Sequence, residues 1–102
     1  TTRPGSRAPH VWLSDGRSTL DLFGHGFVLV CTDQRLQGDA DTLAQAFAAR
    51  KVPFQIECID EPSVAAAYEM PLVLVRPDGH VAWRGNQVTS PGQLVDTVRG
   101  AG

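Results

Sequence analysis

Thiol groups are scarce in this sequence. It contains two cysteines, Cys31 and Cys58, and a single methionine among 102 residues. Two cysteines are too few for the disulfide framework that stabilises small secreted domains. The low count favours a reducing compartment, and we therefore expect the protein to be cytoplasmic.

Long hydrophobic runs and an excess of one charge are also lacking. The longest apolar stretch, Met70 to Val75, is far shorter than the roughly 20 residues that cross a bilayer as a helix. Nine basic and eleven acidic residues give a net charge of -2. Because there is no basic field to attract a phosphate backbone or an anionic lipid surface, we expect neither nucleic acid nor a membrane as a partner.

The length leaves room for one domain. A chain of this size buries roughly two-thirds of its unfolded surface, which is enough for one hydrophobic core. Residues 1–8 are polar and include proline and glycine, a composition typical of a linker. The sequence therefore predicts a linker at 1–8 and a folded domain at 9–102. Since the chain starts with threonine and shows no charged-then-apolar leader, we interpret it as an excised domain or a processed chain.

The first two-thirds of the sequence alternates between strand and helix patterns. The run from Phe27 to Thr32 is continuous and rich in β-branched residues, as in a strand that is covered on both faces. Leu43 and Phe47 lie on one stripe at helical spacing, and Pro62 suits a first helical turn. Strands are predicted at 9–13, 27–32 and 54–59, and helices at 18–23, from Asp39 or Asp41 to 51, and at 62–68.

The last third predicts a hairpin followed by a helix. A buried strand at 72–75 leads into Pro77-Asp78-Gly79, a turn in which proline presets φ and glycine accepts a positive φ. On the returning strand Val81 and Trp83 alternate with more polar neighbours, so both are expected on one face. A helix should follow from Pro91 to about Gly100.

This order of elements defines the expected fold class. Strands that are separated by helices become parallel neighbours through right-handed crossovers, whereas the final hairpin adds antiparallel strands at one side. We therefore predict an α/β protein with three α/β/α layers, a mixed sheet and a C-terminal antiparallel hairpin plus helix. The order resembles thioredoxin, most closely from Met70 to Gly85. The resemblance implies a thioredoxin-like fold with a cis-proline at Pro71.

The thioredoxin active site is nevertheless missing. Thioredoxins place Cys-x-x-Cys at a helix N-terminus, where the helix dipole lowers a thiol pKa, but no cysteine occurs between Asp33 and Asp41. The opening of the chain resembles peroxiredoxins, whose Pro, Thr and Cys are also absent from that stretch. Cys31 and Cys58 lie inside predicted strands, so we expect free, buried and slowly reacting thiols.

Three blocks of the sequence carry a more specific resemblance: Arg7 to Leu13, Asp21 to Phe27, and Val73 to Arg84. Together they are similar to the C-terminal thioredoxin-like domain of FAD-dependent aromatic hydroxylases, the group that includes phenol and polyketide hydroxylases. In that family an FAD-binding domain and a substrate domain carry the chemistry, using NAD(P)H and oxygen. The resemblance implies FAD and NAD(P)H for a parent enzyme. No cofactor is expected in this fragment, since Gly24-His25-Gly26 lacks the third glycine of a dinucleotide fingerprint.

We therefore expect a non-catalytic structural or interaction domain of an FAD-dependent aromatic-ring monooxygenase. Its partners would be the FAD-binding and substrate domains of its own parent chain, or a second copy in a homo-oligomer. The predicted contact residues are His10, Trp12, Trp83 and Arg84, because aromatic residues are enriched at interfaces. For both tryptophans core packing remains open. The histidines lack metal-ligand spacing. The alternatives are a free-standing thioredoxin-like or peroxiredoxin-like thiol redox protein and an unrelated binding module on the same fold.

Overall fold

A computed structural model of the chain describes residues 1–100, in which a four-stranded sheet is flanked by helices. Two short 3-10 helices span Thr19–Leu22 and Gln34–Leu36. The strands are β1 (Phe27–Cys31), β2 (Phe54–Cys58), β3 (Leu72–Val75) and β4 (Val81–Gly85). The α-helices are α1 (Gln37–Ala49), α2 (Pro62–Tyr68) and α3 (Pro91–Gly100). In residues 1–100 no helix is both long and apolar enough to cross a membrane.

The sheet is mixed, as predicted. Its strand order is β2-β1-β3-β4, with β1 parallel to β2 and antiparallel to β3, and with β3 and β4 forming the antiparallel hairpin. The parallel pair runs in register from Phe27 beside Phe54 to Cys31 beside Cys58. Because β1 and β3 are central and covered on both faces, all but one of their residues are buried, which explains their unbroken apolar sequences.

Two apolar clusters lie on opposite faces of the sheet and produce the three-layer architecture. On one face, hereafter the α2 face, Val28, Val30 and their neighbours pack against α2, the first 3-10 helix and the N-terminal segment. On the other, hereafter the α1/α3 face, Leu29 and its neighbours pack against Phe47 of α1 and Val95 of α3. The α/β class with three layers, a mixed sheet and a C-terminal hairpin plus helix is therefore confirmed.

The segment predicted as the first strand, residues 9–13, does not join the sheet. Its backbone instead bonds to the turn and 3-10 helix that follow it: Leu13 N–H donates to Arg17 O at 2.7 Å and Thr19 N–H donates to Val11 O at 2.9 Å. An isolated bridge between Trp12 and Ser18 is its one β-type pairing in the described chain. The strand prediction was wrong because the backbone bonds of this segment are satisfied locally.

Residues 1–8, expected to be a linker, lie along the outer edge of β4. Gly5 N–H donates to Val81 O, Val81 N–H donates to Ser6 O, and Ala8 N–H donates to Gly79 O, at 2.8 to 2.9 Å. Thr2 is fully buried, and its hydroxyl donates to Tyr68 O at 2.7 Å. Since an open sheet edge offers unpaired backbone groups, this segment completes the fold beside the last strand.

The chain enters β3 without the cis-proline that the thioredoxin resemblance implied. No peptide bond in residues 1–100 is cis, so Met70–Pro71 is trans. The change of chain direction between α2 and β3 is made at Glu69, two residues before Pro71, with φ 69° and ψ -37°. Met70 N–H donates to Tyr68 O at 2.7 Å and closes a γ-turn around Glu69. Because this turn already redirects the chain after α2, the extended strand follows from a trans bond.

Helix α1 begins at Gln37, two residues before the earlier of the two predicted starts. The preceding 3-10 helix leads directly into it, and Asp33 caps that element by accepting from Arg35 N–H at 3.0 Å. The carboxylate of Asp39 is used elsewhere, since it accepts from Val88 N–H and ties α1 to the loop before α3.

Candidate domain interface

The four residues predicted as an interface do not form one surface. His10 and Trp12 are neighbours, with ring centroids 4.7 Å apart in an edge-to-face arrangement. Arg84 pairs with Val73 across the hairpin and lies on the α2 face. Trp83 pairs with Leu74 and packs on the opposite, α1/α3 face.

A β-bulge explains why Trp83 and Val81 lie on opposite faces, although strand alternation predicted a shared face. Strand alternation placed it with Val81, yet Val81 belongs to the cluster on the α2 face. The register shifts between Leu74 and Val75, which face Trp83 and Val81 respectively, so Ala82 is left as the extra residue. Such an insertion rotates the following side chains to the other face of a sheet.

Trp83 is half-buried and completes the α1/α3 core. Its indole ring covers Gly85, where an added Cβ would lie 2.6 Å from the Trp83 ring carbon Cζ2. The ring also lines a shallow depression of about 260 Å³ between the sheet edge and α3, together with Leu94 and Thr97. Part of the Trp83 side chain is therefore buried by packing within the domain. This agrees with core packing, the alternative that the sequence left open.

Arg84 is engaged within the domain as well. Its Nη1 donates to Glu69 Oε1 and to Thr2 Oγ1, both at 3.2 Å. Glu69 Oε1 also accepts from Thr2 N–H at 3.1 Å, and this hydrogen bond is the main reason that the pKa of Glu69 is lowered. The three side chains hold the start of the chain against the turn that follows α2.

Trp12 and Leu20 are the exposed large hydrophobic residues of the described chain. Their exposed fractions are 67% and 48%, and no other large hydrophobic residue in the described chain is classed as exposed. Leu20 was not identified from the sequence. The 3-10 helix Thr19–Leu22 buries its first and last residues, and with three residues per turn this leaves Leu20 on the outer side.

Hydrogen bonds around Ser18 fix the geometry of this exposed region. Ser18 Oγ lies 2.6 Å from His10 Nδ1 and accepts from Leu20 N–H at 3.0 Å. Asp21 accepts from Ser18 N–H at 3.1 Å and completes a capping box. One buried serine therefore links the segment that carries His10 and Trp12 to the 3-10 helix that carries Leu20. These three residues are called the His10–Leu20 surface below.

A depression of about 270 Å³ adjoins this surface. The tip of the hairpin forms one wall, and the opposite wall comes from the N-terminal segment and the first 3-10 helix. The lining residues are Arg7, Ala8, His10, Leu20, Phe23, Gly24, Pro77, Asp78 and Gly79.

Hydrogen bonds to the Asp78 carboxylate connect residues of the hairpin wall. Arg76 hydrogen-bonds to the carboxylate of Asp78, and that carboxylate also accepts from His80 N–H at 3.1 Å. The Arg76 side chain is the main cause that lowers the pKa of Asp78 to about 2. Gly79, at φ 85°, makes the positive-φ step that the sequence predicted. Arg7 is exposed at the rim, and no ion pair within the described residues involves it.

The two cysteines differ in exposure. Cys31 is buried and Cys58 is exposed, and both thiols are free. The expectation of a buried thiol was therefore right for Cys31 and wrong for Cys58, which is the last residue of the edge strand β2. Burial raises the pKa of the Cys31 thiol.

Gly26, directly before β1, serves packing. A Cβ at Gly26 would lie 2.8 Å from both Cβ and O of Pro53, and Phe27 N–H donates to Pro53 O at 3.0 Å. Gly26 therefore allows the start of β1 to approach the chain before β2.

In residues 1–100 no group of three or more His, Cys, Asp or Glu side chains could hold a metal ion.

Comparison with known proteins identifies the family. The model of the C-terminal domain of aromatic-ring hydroxylases matches residues 1–101. The chain belongs to this family. The resemblance that the three sequence blocks indicated is thus confirmed.

Relatives of this hydroxylase domain are much longer proteins. The FAD-dependent monooxygenase apdD of Emericella nidulans is 44% identical over 92 residues, which cover 87% of this chain and 15% of that protein. The rebeccamycin biosynthetic enzyme RebC is 50% identical, and its structure superposes with a TM-score of 0.91 over 99% of this chain and 19% of the RebC chain. The domain therefore spans less than a fifth of these two relatives.

The thioredoxin-like fold is also found among solved structures. The thioredoxin domain of a thiol-disulfide oxidoreductase from Bacteroides vulgatus superposes with a TM-score of 0.60 at 18% identity, and covers 95% of this chain and 98% of that one. At this identity the similarity shows the fold alone.

Proposed function

We propose that this hydroxylase domain is a non-catalytic docking module of a longer FAD-dependent aromatic-ring monooxygenase. Its His10–Leu20 surface would pack against the FAD-binding and substrate domains of the same chain. Those domains would bind FAD and NAD(P)H and carry out the hydroxylation, and we expect the whole enzyme in the cytoplasm. Two findings support a longer monooxygenase as the parent protein. The chain belongs to the hydroxylase family, and it covers less than a fifth of the length of the two relatives described above.

The observation that carries the proposal is the exposure of Trp12 and Leu20 on two segments that Ser18 links. Monomeric domains rarely expose large contiguous apolar patches, so patches of this kind mark contact sites. Tryptophan in particular is enriched among residues that dominate binding energy. The adjoining depression gives a partner side chain a place to insert.

Polar groups around this apolar centre fit a domain contact. Arg7 is exposed at the rim and offers a guanidinium to a carboxylate or a carbonyl oxygen of the partner. His10 is exposed beside Trp12, and its ring is oriented by Ser18. An apolar centre with a polar rim is the usual organisation of protein interfaces.

A truncation of Trp12 tests the proposal. In this chain alone, Trp12→Ala should change the free energy of unfolding by less than about 0.5 kcal/mol, because the exposed side chain contributes little to the core. In the longer monooxygenase the same change should accelerate proteolytic cleavage at the domain boundary. Gln45→Ala, an exposed position on α1, is the matched control and should leave both measurements unchanged.

Two outcomes would contradict the proposal. A loss of about 3–5 kcal/mol in the chain alone would mean that Trp12 belongs to the core. An unchanged cleavage rate in the longer protein would mean that the surface makes no intramolecular contact. Light scattering on the same samples distinguishes a third case, since dissociation of an oligomer by Trp12→Ala would assign the surface to a second copy of the enzyme.

A further inference from the structure

The strands β1 and β2 are parallel, and each ends in a cysteine. Cys31 and Cys58 are register partners, so they lie directly beside each other at the same edge of the sheet. Neighbouring strands are separated by roughly 4.7–4.9 Å, and this spacing lies within the Cα separation of about 4.4–6.8 Å that a disulfide requires. The backbone therefore already places the two residues at bridging distance.

Both thiols lie on the α1/α3 face. Cys31 belongs to the apolar cluster of that face, and its Sγ donates to Asp33 O at 3.1 Å. Cys58 Sγ donates to Gln37 Oε1 of α1, also at 3.1 Å. These are weak sulfur hydrogen bonds at the ends of the strands, so forming a bond between the two sulfur atoms breaks no backbone pairing within the sheet.

The pair is accessible from one side. Cys58 is exposed, whereas Cys31 is 2% exposed. A small cleft of about 40 Å³ opens between them and is lined by Cys31, Thr32, Gln34, Cys58, Ile59 and Asp60. A cleft of this volume has room for a molecule of the size of water, and hydrogen peroxide is only slightly larger.

We propose that Cys31 and Cys58 form a reversible intrachain disulfide on reaction with hydrogen peroxide, in which Cys58 reacts first and Cys31 resolves the product. This modification site is independent of the docking surface, which lies on the α2 face. It also lies outside the stretch from Asp33 to Asp41, where thioredoxins carry their cysteine pair.

The chemistry balances with peroxide as the sole oxidant. The Cys58 thiolate attacks one peroxide oxygen, an S–O bond forms, the O–O bond breaks, and the departing hydroxide takes up a proton to become water. Cys31 sulfur then attacks the Cys58 sulfenic acid, so that an S–S bond forms, the S–O bond breaks, and a second water leaves with the Cys31 proton. Two thiols lose two electrons and peroxide gains them.

The environments of the two thiols set this order. Burial raises the pKa of Cys31, and the neighbouring Cys58 thiol raises it further. A buried protonated thiol is a poor nucleophile towards an external oxidant, whereas the exposed thiol meets peroxide directly. Once Cys58 carries the sulfenic acid, the adjacent Cys31 sulfur is the nucleophile held against it.

The test uses the reduced chain, which is exposed to hydrogen peroxide and then alkylated in denaturant. We expect both thiols to become unavailable together, with the loss of two hydrogens in mass and one cross-linked peptide that contains Cys31 and Cys58. Dithiothreitol should restore both. In denaturant the two thiols should no longer differ in reactivity, because unfolding exposes Cys31 as well.

Two variants separate the roles of the thiols. In Cys58→Ser, a change at an exposed position, Cys31 should stay reduced at peroxide concentrations that oxidise the unsubstituted chain. In Cys31→Ala, which keeps a small apolar side chain in the core, dimedone should trap the Cys58 sulfenic acid. The proposal is overturned if Cys58 passes to the sulfinic acid while Cys31 stays reduced, or if neither thiol reacts in the folded chain.

Discussion

The two faces of the sheet are covered in different ways. Two longer helices, α1 and α3, cover one face. Their apolar side chains pack into a core in which Leu43, Phe47 and Val95 are fully buried. The other face is covered by the short helix α2, a 3-10 helix and irregular chain. Regular helices direct side chains inward at a fixed period, whereas the irregular cover satisfies its backbone locally and leaves Trp12 and Leu20 outside.

Under the proposed function, this difference assigns stability to one face and interaction to the other. The α1/α3 face has the tightest aromatic packing, since Phe47 stacks on Phe54 with centroids 4.5 Å apart and meets Phe27 at 5.1 Å. The α2 face has the polar ties that hold the N-terminal segment, among them Tyr68 and Thr2. We therefore expect substitutions on the first face to unfold the domain and exposed substitutions on the second to affect partners.

The largest effect should come from Phe47→Ala. Phe47 is fully buried at the centre of the α1/α3 core, so the lost contacts and the remaining cavity should lower the free energy of unfolding by about 3–5 kcal/mol. Urea denaturation followed by circular dichroism measures this loss. A loss below about 1 kcal/mol, within the range of most ordinary substitutions, would remove the distinction between the two faces.

A smaller effect is expected from Gly85→Ala at the margin of the same face. The added Cβ would lie 2.6 Å from the Trp83 ring, so the indole must move, at a cost of about 1–3 kcal/mol. The fluorescence of Trp83 should shift as the ring becomes more exposed, and Trp12→Phe provides a background in which Trp83 is the sole tryptophan. An unchanged emission maximum would contradict this account of Trp83.

Tyr68→Phe tests the ties of the α2 face. The Tyr68 hydroxyl donates to Pro9 O at 2.8 Å, and Thr19 Oγ1 donates to the same oxygen at 2.9 Å. Because the carbonyl keeps one partner, the substitution should lower the free energy of unfolding by only about 1 kcal/mol. Hydrogen exchange should rise at the amides of residues 5–13 more than in α1. Uniform exchange would show that this hydroxyl does not hold the N-terminal segment.

The smallest effect concerns the exposed carboxylate of the hairpin, Asp78. The pKa of Asp78 is lowered to about 2 from its ordinary 3.8, chiefly by Arg76. A carboxyl group with a lower pKa in the folded state stabilises it above the ordinary pKa, and this contribution is lost as the pH falls through the folded value. Asp78→Asn should therefore reduce the acid sensitivity of the melting temperature between pH 3.8 and about 2. Identical slopes for variant and parent in that range would contradict the ion pair in solution.

The sequence by itself determined most of the secondary structure, the mixed three-layer fold and the family. These features are local patterns, which can be recognised without knowing which segments pack against them. They are the apolar runs of β1 and β3, the helical stripe of Leu43 and Phe47, and the Pro-Asp-Gly turn. Motif blocks distributed over the chain identified the hydroxylase family, because each block occupies a defined element of that fold.

Only the tertiary structure decided how these elements meet. It placed residues 1–8 along β4, moved the turn before β3 from Pro71 to Glu69, and turned Trp83 to the α1/α3 face through a bulge. It also brought Cys31 beside Cys58. Register, bulges and the cover of a sheet edge depend on pairing between distant segments, and a shift of one residue changes which face every side chain occupies. No local pattern of the sequence specifies the register, the bulge or the segment that covers the sheet edge.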